Sequence, residues 1–164
     1  AGAQADFQLE PVISNFISEG GRQHNLPMLL LEFLFSIAMA DGELHAAEKD
    51  ILSKTAGYLG IGSRQFEQLL AMLTAQENFR SGHYQSGPGR PPPSVDELDN
   101  AYKALGVSSS DSDRDIKKAY RKLMSQHHPD KLIAQGVPED MLKVATEKAQ
   151  DIQAAYDLIK TSRQ

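Results

Sequence analysis

Apolar residues recur every three to four positions along most of the chain, which is the period of an α-helix. In the first half this pattern predicts helices over Met28–Ala40, from Ala46 to about Leu59, and from a cap at Ser63 onward. A weaker segment over Phe7–Ser18 also fits a helix. Because no run alternates between apolar and polar residues as a strand would, we predict an all-α fold.

The second half contains helical patterns with sharper ends. One predicted helix ends at Gly106, and its apolar face consists of Leu98, Tyr102 and Leu105. The next is predicted to begin with a capping box formed by Ser110 and Asp113. Its apolar stripe consists of Ile116, Tyr120 and Leu123. Pro129 disfavours helical geometry at the residue before it, so this helix is predicted to end near His127.

A loop up to Gly136 is predicted before the last helix, which Pro138 opens. That helix has one continuous apolar face, consisting of Met141, Ala145, Ala149, Ile152, Tyr156 and Ile159. Two long amphipathic helices joined by a compact loop pack antiparallel through their apolar faces. We therefore expect the loop, which contains His128 and Asp130, to lie at the tip of a helical hairpin.

A stretch rich in Gly, Ser and Pro separates the two halves from Arg80 to Ser94. Three consecutive prolines, starting at Pro91, favour an extended and fairly stiff spacer. The predicted organisation is a helical domain over residues 1–79, a linker over 80–94 and a second domain over 95–164.

Composition narrows the possible functions. Apolar residues make up 40% and charged residues 24% of the chain, as is usual for a globular protein. The absence of cysteine excludes disulfides, thiolate zinc sites and cysteine nucleophiles. The net charge of −5 argues against nucleic acid as a partner. The longest apolar run, Met28–Ala40, is too short to span a membrane and contains Glu32.

Positive charge is concentrated on the helix before Pro129. Four basic residues lie opposite its apolar stripe, namely Lys117, Lys118, Arg121 and Lys122. A basic helix on an acidic protein predicts an acidic protein partner reached by electrostatic steering. A lysine cluster on a helix can also be only a solvated face, and that interpretation stays open at this point.

This segment, Asp115–Leu123 followed by His127–Lys131, resembles the J-domain signature of the DnaJ family. The later run Ile152–Ile159 resembles the last helix of the same family. The resemblance implies a co-chaperone that binds a DnaK-type chaperone and stimulates its ATP hydrolysis. It also implies that Asp130 pairs with an arginine near the junction of the partner's ATPase domain and linker.

The implied partner-binding residues are His128, Pro129, Asp130, Lys117, Lys118, Arg121, Lys122 and Lys131. No cofactor is implied, and the residues that hydrolyse ATP belong to the partner, so we do not expect an enzyme. The alternative for His127, His128 and Asp130 is a metal or acid–base site, which we disfavour because no second cluster of ligands accompanies them.

The first domain contains Ala40-Asp41-Gly42 followed by Glu48, which resembles the TerB-like helical domain. Gly42 and Glu48 also have the spacing of an EF-hand loop, but Ile37 and Met39 occupy the first ligand positions. Asp41 and Glu48 are therefore weak metal candidates. We prefer the interpretation that Asp41 ends one helix and caps the next, and that Glu48 is solvated.

A TerB-like domain, a linker and a J-domain together resemble the membrane-anchored DnaJ-like proteins of Gram-negative bacteria. The resemblance implies the cytoplasmic face of the inner membrane, an anchor that precedes Ala1, an incomplete first domain and possible homodimers. The alternative function is a metal- or tellurite-responsive stress protein in which the TerB-like domain is the main functional unit.

Overall fold

The computed structural model describes residues 26–84, 89 and 91–164. In these ranges the secondary structure is helical and contains no strand, which confirms the predicted all-α fold. The chain divides into two compact units, Ala1–Leu69 and Leu70–Gln164. The segment predicted over Phe7–Ser18 lies outside the described residues.

The described part of the first unit begins with helix α1 (Leu26–Ala38). Every residue of α1 except Ile37 is buried or partly buried, as its nearly continuous apolar sequence predicts. A short 3-10 turn over Met39–Asp41 ends at Gly42, and α2 follows over Ala46–Tyr58. α1 and α2 pack against each other.

Helix α3 (Ser63–Tyr84) begins in the first unit and ends in the second. Ser63 is its first residue rather than its cap, because the carbonyl of Gly62 already accepts a hydrogen bond from the Phe66 amide at 2.9 Å. The cap prediction was thus wrong by one position. The helix also continues through Arg80–Tyr84, the start of the predicted linker. A helical glycine costs only about 1 kcal/mol, which burial of neighbouring apolar side chains can offset.

Where the structure describes it, the second unit comprises the later part of α3 and four further helices: α4 (Val95–Ala104), α5 (Asp113–Gln126), α6 (Pro129–Ala134) and α7 (Glu139–Ser162). Its apolar core draws on α3, α4, α5 and α7, and contains Phe79, Ala101, Ala104, Leu105, Ile116, Leu123, Ile152, Ala155 and Ile159. The predicted stripes of the last two long helices meet in this core. The predicted loop before α7 contains the six-residue helix α6, so that part of the prediction was wrong.

The capping residue of α5 also differs from the prediction. Ser112 occupies the N-cap, where its hydroxyl accepts from the Asp115 amide at 3.2 Å and donates to the Asp115 carboxylate at 2.6 Å. Ser110 lies in the preceding turn and bonds with Ser108. Because Ser110 and Ser112 are each followed three residues later by Asp, the sequence pattern alone does not distinguish the two registers.

α5 and α7 form the predicted antiparallel hairpin. Arg163, directly after α7, contacts Asp113 at the start of α5, with 2.6 Å between Nε and Oδ1. Seven residues earlier in α7, Tyr156 stacks on Tyr120, which lies seven residues later in α5, with ring centroids 4.1 Å apart. The contact positions therefore run in opposite directions along the two helices.

Candidate partner-binding surface

The turn between α5 and α6 is shaped by Pro129. His128 has extended backbone angles of φ −67° and ψ 123° and forms the N-cap of α6, while Pro129 is the first helical residue. Proline suits that position because its missing N–H would have no helical partner, and it keeps the preceding residue out of helical geometry. The chain therefore breaks at His128 and restarts immediately, which places Asp130 in the first turn of α6.

α6 is fixed at its other end by a Schellman motif. The Val137 amide donates to the Leu132 carbonyl at 3.1 Å, and the Gly136 amide donates to the Ile133 carbonyl at 3.0 Å. Gly136 has φ 75°, a left-handed conformation that favours glycine. Leu132 is fully buried and Val137 is 9% exposed, so both ends of the motif are anchored in apolar surroundings. The tip is consequently a short, fixed helix.

The two adjacent histidines have different environments. His127 is the C-cap of α5, is 2% exposed, and donates from Nδ1 to the Leu123 carbonyl at 2.8 Å. His128 is exposed. His127 therefore closes the end of α5, in agreement with its predicted helix-end position, whereas His128 is available to another molecule.

His128, Pro129 and Asp130 are all exposed at the tip. Within the described part of the chain, neither the His128 imidazole nor the Asp130 carboxylate forms a hydrogen bond or ion pair. An exposed carboxylate without an internal partner is well suited to a bidentate contact with an arginine of another protein. The structure thus places these residues as predicted, while their role in partner binding stays a prediction.

The basic face of α5 is also exposed. The predicted residues Lys117, Lys118, Arg121 and Lys122 all face solvent, and none forms an ion pair within the described ranges. Arg114 is exposed on the same face and was missed by the sequence analysis. Its spacing of three, four and seven residues from Lys117, Lys118 and Arg121 was the signal that could have identified it. Five unneutralised charges give this face a strong positive potential.

Lys131 connects the tip to α5. Its Nζ lies 3.5 Å from the Ser125 hydroxyl, at the long limit of a hydrogen bond. The basic face of α5, Lys131 and the His128–Asp130 turn therefore belong to one continuous exposed surface.

Aromatic and amide groups hold α5 against α7 behind this surface. The Tyr120 hydroxyl donates to the Gln153 amide oxygen, and Gln153 donates to the Asp157 carboxylate at 3.0 Å. Burial raises the pKa of Tyr120, and the nearby negative charge of Asp157 raises it further. The phenol therefore stays neutral and keeps its donor near neutral pH.

Asp41 and Glu48, the weak metal candidates, are engaged in local hydrogen bonds. Asp41 accepts from the Glu43 amide at 3.1 Å and contacts the His45 ring at 3.0 Å. Glu48 accepts from the His45 amide at 3.0 Å, and His45 is the N-cap of α2. Asp41 is the last residue of the 3-10 turn, as predicted, but His45 is the N-cap of α2, so the prediction that Asp41 caps this helix was wrong. Glu48 is partly buried and accepts from the N-cap amide, so it is not simply a solvated side chain. These short-range bonds explain why both acids flank the start of α2.

Family comparisons agree with the two units. Residues 100–164 match the DnaJ domain family, and residues 13–71 match the family described as tellurite resistance protein TerB. The chain carries a DnaJ domain. The His128–Asp130 turn and the basic face of α5 both lie within the DnaJ match, whereas Asp41 and Glu48 lie within the TerB match.

Two relatives match nearly the whole chain, and the match includes both of these regions. The chain is 41% identical to the co-chaperone protein DjlA of Aliivibrio fischeri, over 99% of this chain and 61% of that protein. It is 44% identical to the protein of that name from Vibrio parahaemolyticus, over 97% of this chain and 59% of the relative. The chain thus spans about three fifths of the length of these relatives. No solved structure matches it.

None of the helices within the described ranges has both the length and the apolar content needed to cross a membrane. The predicted membrane attachment stays a prediction.

Proposed function

We propose that this chain is a co-chaperone that binds a DnaK-type chaperone through its DnaJ domain and stimulates ATP hydrolysis by that partner. The observation that carries the proposal is the exposed His128–Asp130 turn, whose side chains have no internal partner in the described structure, beside an unneutralised basic helix. The relatives named co-chaperone protein DjlA support the same role.

The basic face of α5 attracts the partner chaperone during association. An acidic groove on the partner attracts the face formed by Arg114, Lys117, Lys118, Arg121 and Lys122, and this long-range attraction raises the association rate. Screening by salt weakens attraction between exposed charges, because the Debye length falls to about 8 Å at physiological ionic strength. When the concentration of this chain is limiting, its stimulation of the partner's ATP hydrolysis is therefore expected to fall as the salt concentration increases.

The His128–Asp130 turn acts after association, in the complex in which the partner hydrolyses ATP. We propose that Asp130 pairs with an arginine of the partner and that Pro129 fixes the direction of that carboxylate. The DnaJ domain then favours the conformation in which the partner hydrolyses ATP rapidly, which is differential binding to two states. The residues that perform hydrolysis belong to the partner, so this chain has no catalytic residue of its own in the proposal.

A single-turnover ATPase assay with a cognate DnaK-type chaperone tests the proposal. We expect wild-type chain to accelerate hydrolysis, and His128→Gln or Asp130→Asn to reduce the rate to near the basal value. Lys118→Gln is expected to raise the half-maximal concentration without abolishing stimulation. Arg64→Gln, which removes one exposed charge in the first unit, is the control and is expected to behave as wild type. Equal stimulation by wild type and Asp130→Asn would refute the proposal.

For the TerB-like unit we propose a targeting role, in which it determines where the DnaJ domain acts. The match to a family named for tellurite resistance supports an ion-responsive unit as the second candidate. Calorimetry with divalent cations on wild type and Asp41→Asn distinguishes the two. Heat of binding that disappears in Asp41→Asn would favour the ion-responsive function, and no heat from either protein would favour targeting.

A further inference from the structure

The directions of the α6 side chains follow from one buried residue. Leu132 is fully buried and marks the inward side of the helix. Successive residues are rotated by about 100° around a helix axis. Asp130 consequently points outward, with Lys131 on one side of it and Ile133 on the other. Since Lys131 reaches Ser125 of α5, Ile133 lies on the side of Asp130 that is farther from α5.

These positions define a docking strip, consisting of the basic face of α5, Lys131, Asp130 and Ile133. The strip is positively charged over α5 and ends in an apolar side chain beyond the carboxylate. Ile133 is 61% exposed. A single exposed apolar residue is ordinary in itself, so its position at the end of this strip is what carries the argument.

Ile133 cannot leave the surface by a local rearrangement. Leu132 already fills the inward side of α6, and the Schellman hydrogen bonds to Val137 and Gly136 fix the helix end. The unbound protein therefore holds the isoleucine in water next to Asp130. Because the backbone that carries this side chain is already ordered, covering Ile133 requires no ordering of a loop, which favours binding.

We propose that Ile133 is an apolar anchor that inserts into a depression on the ATPase domain of the DnaK-type chaperone, beside the group that pairs with Asp130. The inference rests on the proposed function and adds a residue to its binding surface. Covering Ile133 would also remove water from around Asp130, and an ion pair in a drier environment is stronger. The anchor would thus contribute to affinity both directly and through its charged neighbour.

The test measures ATPase stimulation as a function of co-chaperone concentration, using the full chain. Ile133→Thr keeps the β-branch and its methyl group while replacing the ethyl group by a hydroxyl. We expect about a tenfold higher half-maximal concentration, with maximal stimulation unchanged. Ile133→Met keeps an apolar side chain and is expected to stay within about twofold of wild type. Val95→Thr, at a residue that is 84% exposed at the start of α4, is the matched control and is expected to have no effect.

The outcomes separate this inference from the function on which it rests. If Asp130→Asn loses stimulation while Ile133→Thr matches wild type, the anchor is overturned and the proposed function survives. If Ile133→Met loses as much affinity as Ile133→Thr, the contact is not apolar and the inference also fails. If wild type gives no stimulation, both are overturned. Equal melting temperatures for wild type and the Ile133 variants show that the fold is unchanged.

Discussion

Phe79 gives a direct test of where the DnaJ unit begins. Its side chain is 1% exposed and lies in the same core cluster as Ala104, Leu105 and Ile159. Two polar contacts on the same part of α3 accompany it. Gln76 Nε2 donates to the Ala104 carbonyl at 3.0 Å, and Arg80 lies 3.6 Å from Glu147 of α7. The end of α3 is therefore a structural part of the second unit, although residues 72–99 fall between the two family matches.

We expect Phe79→Ala to destabilise the second unit by about 3–5 kcal/mol, the usual cost of truncating a fully buried phenylalanine. Since small domains are stable by only about 5–15 kcal/mol, this is a large fraction of the total. One kcal/mol lowers the melting temperature of a domain of this size by about 4–8 °C, so the expected fall exceeds about 12 °C.

Hydrogen exchange resolved by residue is the appropriate assay, because a melting temperature alone does not tell which of the two compact units has been destabilised. Phe79→Ala is expected to accelerate exchange in α4 and α7. Phe66→Ala is a matched control: it truncates the same residue type on the same helix, at a side chain that is 4% exposed in the first unit. That variant is expected to accelerate exchange in α1 and α2 instead. If Phe79→Ala leaves α4 and α7 as protected as in wild type, α3 is not part of the DnaJ core.

Further predictions concern caps and titration. In urea unfolding, Ser112→Ala is expected to lower the free energy of unfolding by about 1 kcal/mol, while Ser110→Ala stays within about 0.5 kcal/mol of wild type. The reverse result would show that Ser110, and not Ser112, caps α5. Arg163 donates to the Tyr102 hydroxyl at 3.2 Å and to the Asp111 carbonyl at 2.8 Å, so Arg163→Ala is expected to melt below wild type by circular dichroism. An unchanged melting temperature would show that these hydrogen bonds do not stabilise the unit. The pKa of His45 is raised by its hydrogen bond to Asp41, and the pKa of Asp41 is lowered by the Glu43 amide and then by His45. The stabilisation of the fold by protonated His45 is therefore fully present below the ordinary histidine pKa of about 6.5, and it is lost as pH rises through the pKa of His45 in the folded protein. The stabilisation of the fold by ionised Asp41 is fully present above the ordinary aspartate pKa of about 3.8, and it is lost as pH falls through the pKa of Asp41 in the folded protein. NMR titration is expected to show the His45 pKa falling in Asp41→Asn, and an unchanged value would contradict the pairing.

The tip could be predicted from the sequence because its geometry is set by neighbouring residues. Pro129 alone accounts for the break at His128, and helical spacing alone places Lys117 and Arg121 on one exposed face. α6 was missed because six residues are too few to establish a period, and its helix depends on burial of Leu132.

The continuation of α3 beyond Arg80 was not predicted, for a related reason. Gly82 and the prolines that follow are local signals of a helix end, and they indicate a linker from Arg80. What keeps α3 helical in this region is the packing of Phe79 against residues that follow it by more than twenty positions. Such long-range contacts leave no periodic signal in the sequence. At the end of α3, tertiary packing therefore outweighs the low helix propensity of the local residues.

The arrangement separates the residues that build the DnaJ unit from those that are proposed to dock. Leu132 and Val137 hold α6 in place from inside, whereas Asp130, Lys131 and Ile133 project from the same turn into solvent. Substitutions in the first group are expected to change stability and binding together. Substitutions in the second group remove no buried contact, so they are expected to change binding alone. A variant of Asp130 that loses stimulation at unchanged stability therefore tests the proposed function directly, whereas a variant of Ile133 whose half-maximal concentration rises at unchanged stability tests the apolar anchor alone.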